Sequence, residues 1–523
     1  MNMNKPIRIV LYSLLSLFVI YLITTVAINS ILKKKLESFI ETRLPENFIQ
    51  SYDDLSLHII NGTIAISNAS VALKNKNDSL KHTFVQVEWL KISKFHHLDY
   101  LLNNQIHFES IQLENPQITY YKDRLYPSND SVKNPLIKLH KPILIDRIII
   151  NNSNLIIYEG TEDSTSLSAK NVSLEITDLK LDNTILSKRL PVEYKEYSAK
   201  GDSIFVKTSN YENLTVRQFT LKDNKALFHD ITLKTKYSKA QLSRIIKKER
   251  DYYNLTVDTL SVSGIDFGFN NTTFFGKSKQ ITLTSPTAEI YRDKLVVDDP
   301  KIKPLYSKTL RELPFQLMID TFRIKNGSII YSEKEKVNKP AGSINFSEIE
   351  ATITNLGNTY KAPLKTELNI KAHFMEKTPL AVDWVFDVQN LQDQFIFKAD
   401  IGSLQTERLN SFTEPNLNLR LSGVTNKIFF TIDGNNDGST LDMKIRYTNF
   451  KAIVLNKRDK RKNKVLSSIV NTFISKNSQK KNDYYKEGTI EVTRDKTKSF
   501  FNYLWINVRQ GLIKSVTGWN KLH

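Results

Sequence analysis

Apolar residues fall on every second position through most of the chain, from about Leu55 to Val454. Leu55-Ser-Leu57-His-Ile59, Ile64-Ala-Ile66, Val71-Ala-Leu73 and Val85-Gln-Val87 open the series. Val172-Ser-Leu174-Glu-Ile176, Leu417-Asn-Leu419-Arg-Leu421 and Leu441-Asp-Met443-Lys-Ile445-Arg-Tyr447 continue it. Side chains two apart point to the same face of a strand, so this pattern predicts a large β-sheet with one apolar face. What that face covers, its own core or foreign hydrocarbon, is the functional question.

Three stretches share a shape: Phe108–Tyr120, Ile145–Tyr158 and Ile319–Tyr331 each read as strand, polar Asn-containing turn, strand ending in Tyr. Repetition without a strict period predicts an elongated stack in which each unit buries its face through its neighbours. Asn61-Gly62, Asn326-Gly327 and Asp433-Gly434 lie between alternating runs and predict hairpins. A short basic helix is expected over Lys239–Arg250.

Both ends of the chain depart from this period. Ile9–Leu32 is a 24-residue run without a charge, between Lys5 and Arg8 on one side and Lys33-Lys34-Lys35 on the other. At ~1.5 Å per residue it is long enough to cross a ~30 Å hydrocarbon core. It reads as an uncleaved transmembrane anchor, with a helix continuing over Lys33–Leu44 until Pro45 stops it and strands beginning at Tyr52. Near the other end, Val465, Leu466, Ile469, Val470, Phe473 and Ile474 form one helical stripe. Phe500, Phe501, Leu504, Trp505, Val508, Leu512 and Val516 form another. Such helices either cap the open end of the sheet or lie on a membrane or a partner protein.

Composition narrows the picture. The 523 residues are 40% hydrophobic, with 16 Gly and 15 Pro, which excludes disordered and collagen-like chains. There is no Cys, which removes disulfides, thiolate metal sites and thiol catalysis. Of a formal net charge of +19, the segment Lys451–His523 supplies +12, from 17 Lys and Arg against 5 Asp and Glu. Without an aromatic-studded or helical reading module this charge points to anionic headgroups rather than nucleic acid. His96-His97 is the only adjacent His pair, and neighbours on a strand face opposite ways, so no metal and no cofactor is expected. No nucleophile elbow, phosphate loop or dinucleotide fingerprint is present, and an enzyme is not expected.

The anchor followed by Leu36–Pro45 and by Tyr52–Val71 resembles the start of AsmA-like envelope proteins. Ile401–Gly423 and its continuation through Asp433–Gly438 to Phe450 resemble the C-terminal module of that family, and Arg494–Leu512 is similar to tails found in it. The resemblance implies an inner-membrane, single-pass protein whose β-sheet curls into a taco-like hydrophobic groove in the periplasm. It implies that the groove binds or conducts phospholipids between the inner and outer membranes. The expected order is a cytoplasmic tail (1–8), the anchor (9–32), a juxtamembrane helix (33–51) and a repeat β-groove region (52–400). An AsmA-like β module (401–456) and a basic amphipathic helical tail (457–523) complete it. On this implication the groove lining falls on Val172, Leu174, Ile176, Phe322, Ile324, Leu417, Leu419, Leu421, Met443 and Ile445. Phe500, Phe501, Leu504, Trp505, Val508 and Leu512 would dock the tail on the outer membrane or a partner protein. The rival expectation is a non-enzymatic scaffold or outer-membrane protein assembly factor, whose sheet packs shut and whose edge accepts a client strand.

Overall fold

The computed structural model describes residues 24–38, 40, 47–75, 78–125, 139–160, 164–456, 477–478 and 485–517. The chain is mainly β, and 25 strands form one large mixed sheet. It divides into two units, Met1–Lys207 with Val216–Asp223, and Thr208–Thr215 with Asn224–His523.

In the first unit residues 24–38 are helical (α1). There follow β1 (Phe48–Ser51), β2 (Asp54–His58), β3 (Thr63–Lys74), β4 (Lys81–Phe95), α2 (His97–Leu102), β5 (Ile106–Glu114) and β6 (Gln117–Tyr121). After them come β7 (Ile143–Tyr158), β8 (Thr165–Leu181), α3 (Asn183–Leu186), β9 (Glu196–Gly201), β10 (Ser203–Lys207) and β11 (Glu212–Lys222). The first strand starts at Phe48, soon after Pro45 and ahead of the expected Tyr52. Residues 1–23, holding the expected cytoplasmic tail and most of the anchor, lie outside the described residues. Among the described residues no helix is long and apolar enough to cross a membrane.

The second unit continues with β12 (Lys225–Thr235), α4 (Lys239–Ile245), β13 (Asp251–Ser263), β14 (Asp266–Asn270), β15 (Thr273–Thr284) and β16 (Thr287–Asp293). Next are α5 (Tyr306–Arg311), β17 (Gln316–Lys334), β18 (Gly342–Gly357), β19 (Thr366–Phe374), β20 (Thr378–Phe386), β21 (Phe395–Ile401) and β22 (Leu404–Gln405). The last described elements are α6 (Asn410–Leu417), β23 (Leu419–Gly434), β24 (Gly438–Val454), β25 (Lys486–Thr493) and α7 (Phe500–Thr517). Helix α4 is shorter than the expected Lys239–Arg250, and a reciprocal cap between Ser238 and Gln241 sets its start.

The repeat seen in the sequence is a structural duplication. Strands β5 and β6 both pair in parallel with β7 in one unbroken register, from Ile106↔Ile143 to Tyr121↔Tyr158. Strands β15 and β16 pair the same way with β17, from Phe275↔Gln316 to Asp293↔Lys334. On one side lies an antiparallel strand, β4 or β13. On the other lies β8 or β18. The breaks also correspond: Asn115-Pro116 separates β5 from β6, and Ser285-Pro286 separates β15 from β16. Proline gives up a ladder donor, so the strand lapses there while its register persists.

This arrangement corrects the reading of the Asn-rich segments as turns. Ile145–Tyr158 lies within one strand, and so does Ile319–Tyr331 with its Asn326-Gly327. Asn152 and Asn326 adopt the left-handed conformation (φ 54 and 53), which Asn tolerates, and the strand runs straight through. Of the expected hairpin turns, Asn61-Gly62 does join β2 to β3, and Asp433-Gly434 ends β23 just before the turn to β24.

The closed core sits in the second unit, where α7 packs on β20, β21, β23, β24 and β25. Ile432 and Leu441 are completely buried, with Met443, Ile445, Trp384, Phe386, Phe395, Phe500, Tyr503 and Leu504 around them. Phe500 stacks on Trp384 at 4.5 Å between ring centroids. Asn507, fully buried, accepts from Ser439 Oγ (2.9 Å) and donates to the Tyr503 carbonyl (3.0 Å). A Cβ on Gly511 would come within 2.5 Å of Leu441 Cδ2, so this glycine sets how closely the helix can approach β24. The tail expected to be helical throughout thus also contributes a strand, β25, paired to β24. The stripe expected at Val465–Ile474 lies outside the described residues. Truncating Phe500 to Ala should cost about 3–5 kcal/mol, whereas Phe501, 63% exposed, should tolerate Ala within about 0.5 kcal/mol. Denaturant unfolding of the two purified variants checks this; equal losses would mean that α7 is not packed as described.

Candidate functional site

Residues directly opposite one another in a sheet share a face, so strand register assembles a surface without further assumption. In the first unit Ile64 and Ile66 of β3 stand opposite Ile92 and Leu90 of β4. These meet Ile111 and Leu113 of β5, then Ile148 and Ile150 of β7. Ile176 and Leu174 of β8 follow, then Tyr197 and Ala199 of β9. Every one of them is half-buried and none is fully buried. They make a continuous apolar stripe across six strands, with no described element closing it into a core.

Two polar lines border the stripe. One runs through Asn68, level with Glu88, then Asn115, Asn151-Asn152 and Asn171. Asn68 donates to Asp53 (2.6 Å), Asn115 to Glu88, Asn151 to Glu114 (2.6 Å) and Asn171 to Asp202 (2.9 Å). The other runs through Gly62, Lys94, Glu109, Asp146 and Asp178, with Lys94 paired to Glu109 at 2.6 Å and Lys195 to Asp178 at 3.7 Å. Asn68, Asn115, Asn152, Asn171, Gly62, Lys94 and Asp178 all have φ between 48 and 55. Across each line the apolar positions advance by three or five residues instead of two. On β7 they are Ile143 and Ile145, then Ile148 and Ile150, then Leu155 and Ile157. An odd step would turn the next apolar residues to the wrong face of a regular strand. The irregular backbone at the lines resets the alternation and keeps the face apolar.

The second unit repeats the pattern. Leu260 and Val262 of β13 meet Leu283 and Ile281 of β15, then Ile324 and Phe322 of β17, then Ala351 and Ile353 of β18. Asp230, Ser285, Asn326 and Glu348 form one left-handed line, and Gly264 and Asn355 mark the other. Here the stripe changes character along its length. It passes through Leu368 and Ile370 to Trp384 and Val382, and on to Phe397 and Ala399. It ends at Ile432, Phe430, Leu441 and Met443 under α7. An open apolar face becomes the interior of a closed core.

The expected lining residues therefore separate. Leu174, Ile176 and Phe322 lie on the open stripes, whereas Ile324 packs against the buried Ile349, Ala351 and Ala372. Val172 sits at a polar line opposite Ser153. Met443 and Ile445, expected to line a groove, lie within the closed core instead, at 1% and 2% exposure. Leu417 is not on a strand: it ends α6, and the left-handed Asn418 (φ 54) turns the chain before β23 begins. Leu419 and Leu421 are half-buried at the start of β23, opposite Val454 and Ala452. Of the expected docking surface, Phe500 and Leu504 are buried, Val508 and Leu512 pack on the same core, and Trp505 contacts Phe412 edge-on. This stripe is used up in capping the sheet, and of its residues Phe501 alone is mostly exposed.

Among the described residues, the nearest approach to a metal-type constellation is not His96-His97 but His96, His107 and Asp146, whose ligand atoms lie within 4.8 Å of one another. His107 Nδ1 donates to Asp99 (2.5 Å) and Nε2 to Asp146 (2.7 Å), while its ring stacks on His96. Partial burial disfavours the imidazolium, but the hydrogen bonds to Asp146 and Asp99 outweigh it and raise the His107 pKa. With each ring nitrogen hydrogen-bonded to a carboxylate, His107 ties α2 to β5 and β7. Neither known protein families nor curated proteins yield a match to this chain.

Two outcomes test this description. Ile176→Lys should cost about 1 kcal/mol or less, because a long ammonium side chain on an open face can reach water, whereas Met443→Lys should cost about 3 kcal/mol or more. Equilibrium unfolding of both variants decides, and equal large losses would mean the first-unit stripe is closed. In the second, His107 should titrate above the ordinary His value of about 6.5. A raised folded-state value means its contribution is complete below the unfolded pKa and is lost as pH rises through the folded one. NMR of selectively labelled His should show this, and Asp146→Asn should lower the titration; an ordinary titration in the native chain would contradict the ion pairs.

Proposed function

We propose that this chain is a lipid-handling protein whose open stripes shield phospholipid acyl chains from water between two membranes. The observation that carries the reading is the uncovered, cross-strand-paired apolar stripe, in a chain that elsewhere closes the same kind of stripe under a helix. Each acyl CH₂ kept from water is worth ~0.8 kcal/mol, so a continuous apolar surface lets a lipid leave a bilayer without wetting its tails. Five inter-strand steps of ~4.8 Å span about 24 Å, more than the ~15 Å depth of one leaflet's hydrocarbon. The polar lines along both margins offer hydrogen-bonding groups and charges beside the stripe, where headgroups would lie.

The 24-residue uncharged segment at Ile9–Leu32 and the resemblance to AsmA-like envelope proteins support anchoring in the inner membrane, with the sheet in the periplasm and curled into a groove. No catalytic residue enters this reading. It needs a surface rather than a reaction centre.

A photo-crosslinking amino acid placed at Ile148, Ile176 or Phe322 should trap phospholipid in cells, and the same residue at Ile432 should not. Absence of lipid adducts at all three open positions, with lipid-free protein by native mass spectrometry, would overturn the proposal in favour of an assembly scaffold.

A further inference from the structure

The first unit has one end at which large apolar side chains stand in solvent next to the last turns of the uncharged N-terminal segment. We infer that this end is seated in the interfacial layer of a lipid bilayer, with α2 and the β2–β3 turn as a wedge among the headgroups. The inference builds on the proposed lipid handling by naming where the chain meets its lipid source.

The geometry runs from the helix outward. Asn29 of α1, near the end of the uncharged Ile9–Leu32 run, accepts from the backbone N–H of Ile59 (2.9 Å). Lys33 pairs with Asp54 at 3.5 Å. The end of the hydrocarbon-length segment is thus level with the β2–β3 turn. The Phe95 N–H donates to the Gly62 carbonyl (3.0 Å), so β4 reaches the same level and α2 follows directly. The turn carries Ile60, 60% exposed; α2 carries Leu98, Leu101 and Leu102 at 69%, 73% and 77%. Helix α2 is held rather than loose: Lys141 donates to the Tyr100 carbonyl and lies over its ring at 3.4 Å, and His107 holds Asp99.

A helix rigidly fixed with three leucines outward gains nothing from water. Lys34 and Lys35, both exposed, stand where the anionic headgroups of that bilayer would be. Leucine side chains below and lysines at headgroup level are the arrangement of an interfacial element. Depth, apolar side chains and charge agree on a lipid surface.

The chain has no native Cys, so single cysteines at Leu101, at Ile60 and, as control, at Leu391 (81% exposed) can each carry an environment-sensitive dye. The full chain is placed in nanodiscs of phosphatidylethanolamine and phosphatidylglycerol, with and without lipids bearing a nitroxide near the headgroup. The dyes at Leu101 and Ile60 should shift to the blue and be quenched by nitroxide lipid several-fold more than the dye at Leu391. Equal quenching at all three sites overturns the wedge; so does a blue shift without quenching, which would mean that protein covers α2. Replacing Leu98, Leu101 and Leu102 together with Ser should leave α1 inserted but cut lipid crosslinking at Ile148; unchanged crosslinking overturns the role in access. If Leu101 is quenched and Ile148 never traps lipid, the wedge stands and the lipid-handling reading fails; the reverse pair sinks the wedge alone.

Discussion

A strand can keep one face apolar only while its alternation is unbroken, and this chain breaks its alternation repeatedly without losing the face. The device is a left-handed residue, or its neighbour across the ladder, at the same level on successive strands. A non-glycine residue in this conformation costs roughly 1–2 kcal/mol, least for Asn and Asp, whose short side chains hydrogen-bond locally. Among the described residues, eleven of the 21 non-glycine residues with positive φ are Asn. That is a physical reason for so much asparagine. The amides of Asn68, Asn115 and Asn171, and of Asn151 beside the left-handed Asn152, donate to Asp53, Glu88, Asp202 and Glu114 of neighbouring segments, so these interruptions are tied laterally.

What happens above the face differs along the second unit. Where α7 lies on it, Trp384, Ile432, Leu441 and Met443 gain full burial, each large side chain contributing about 1.5–3 kcal/mol. Farther along, at Phe322 and Ile281, the same stripe is half-buried. Local stability should therefore be graded, highest beneath the helix and lower on the open stretch.

Much of this was legible in the residues. Alternation located the strands, and the likeness of Ile145–Tyr158 to Ile319–Tyr331 marked two equivalent strands of a duplication. The Asn-containing segments were misread because Asn-Gly satisfies a two-residue hairpin as well as a left-handed step inside a strand; only the partner strand, bonding on both sides of Asn326, tells the two apart. The three- and five-residue steps between apolar pairs were the available signal. Which part of the apolar face was closed was not legible, because Met443 and Ile176 occupy identical local patterns and differ only in whether a helix more than fifty residues downstream folds over them. Tail residues Phe500 and Leu504 illustrate the same limit: an amphipathic stripe states that a helix needs a cover, not which one.

The duplication has a consequence for size. Its unit is a parallel strand pair, one member broken at a proline, between two antiparallel strands, and both copies keep the same spacing between apolar pairs. Another copy could be inserted between existing ones with its stripe and both lines in phase, leaving α1 and α7 untouched at their termini. The span of such a face is a countable variable, set by how many of these modules stand side by side, each adding the same increment of apolar stripe.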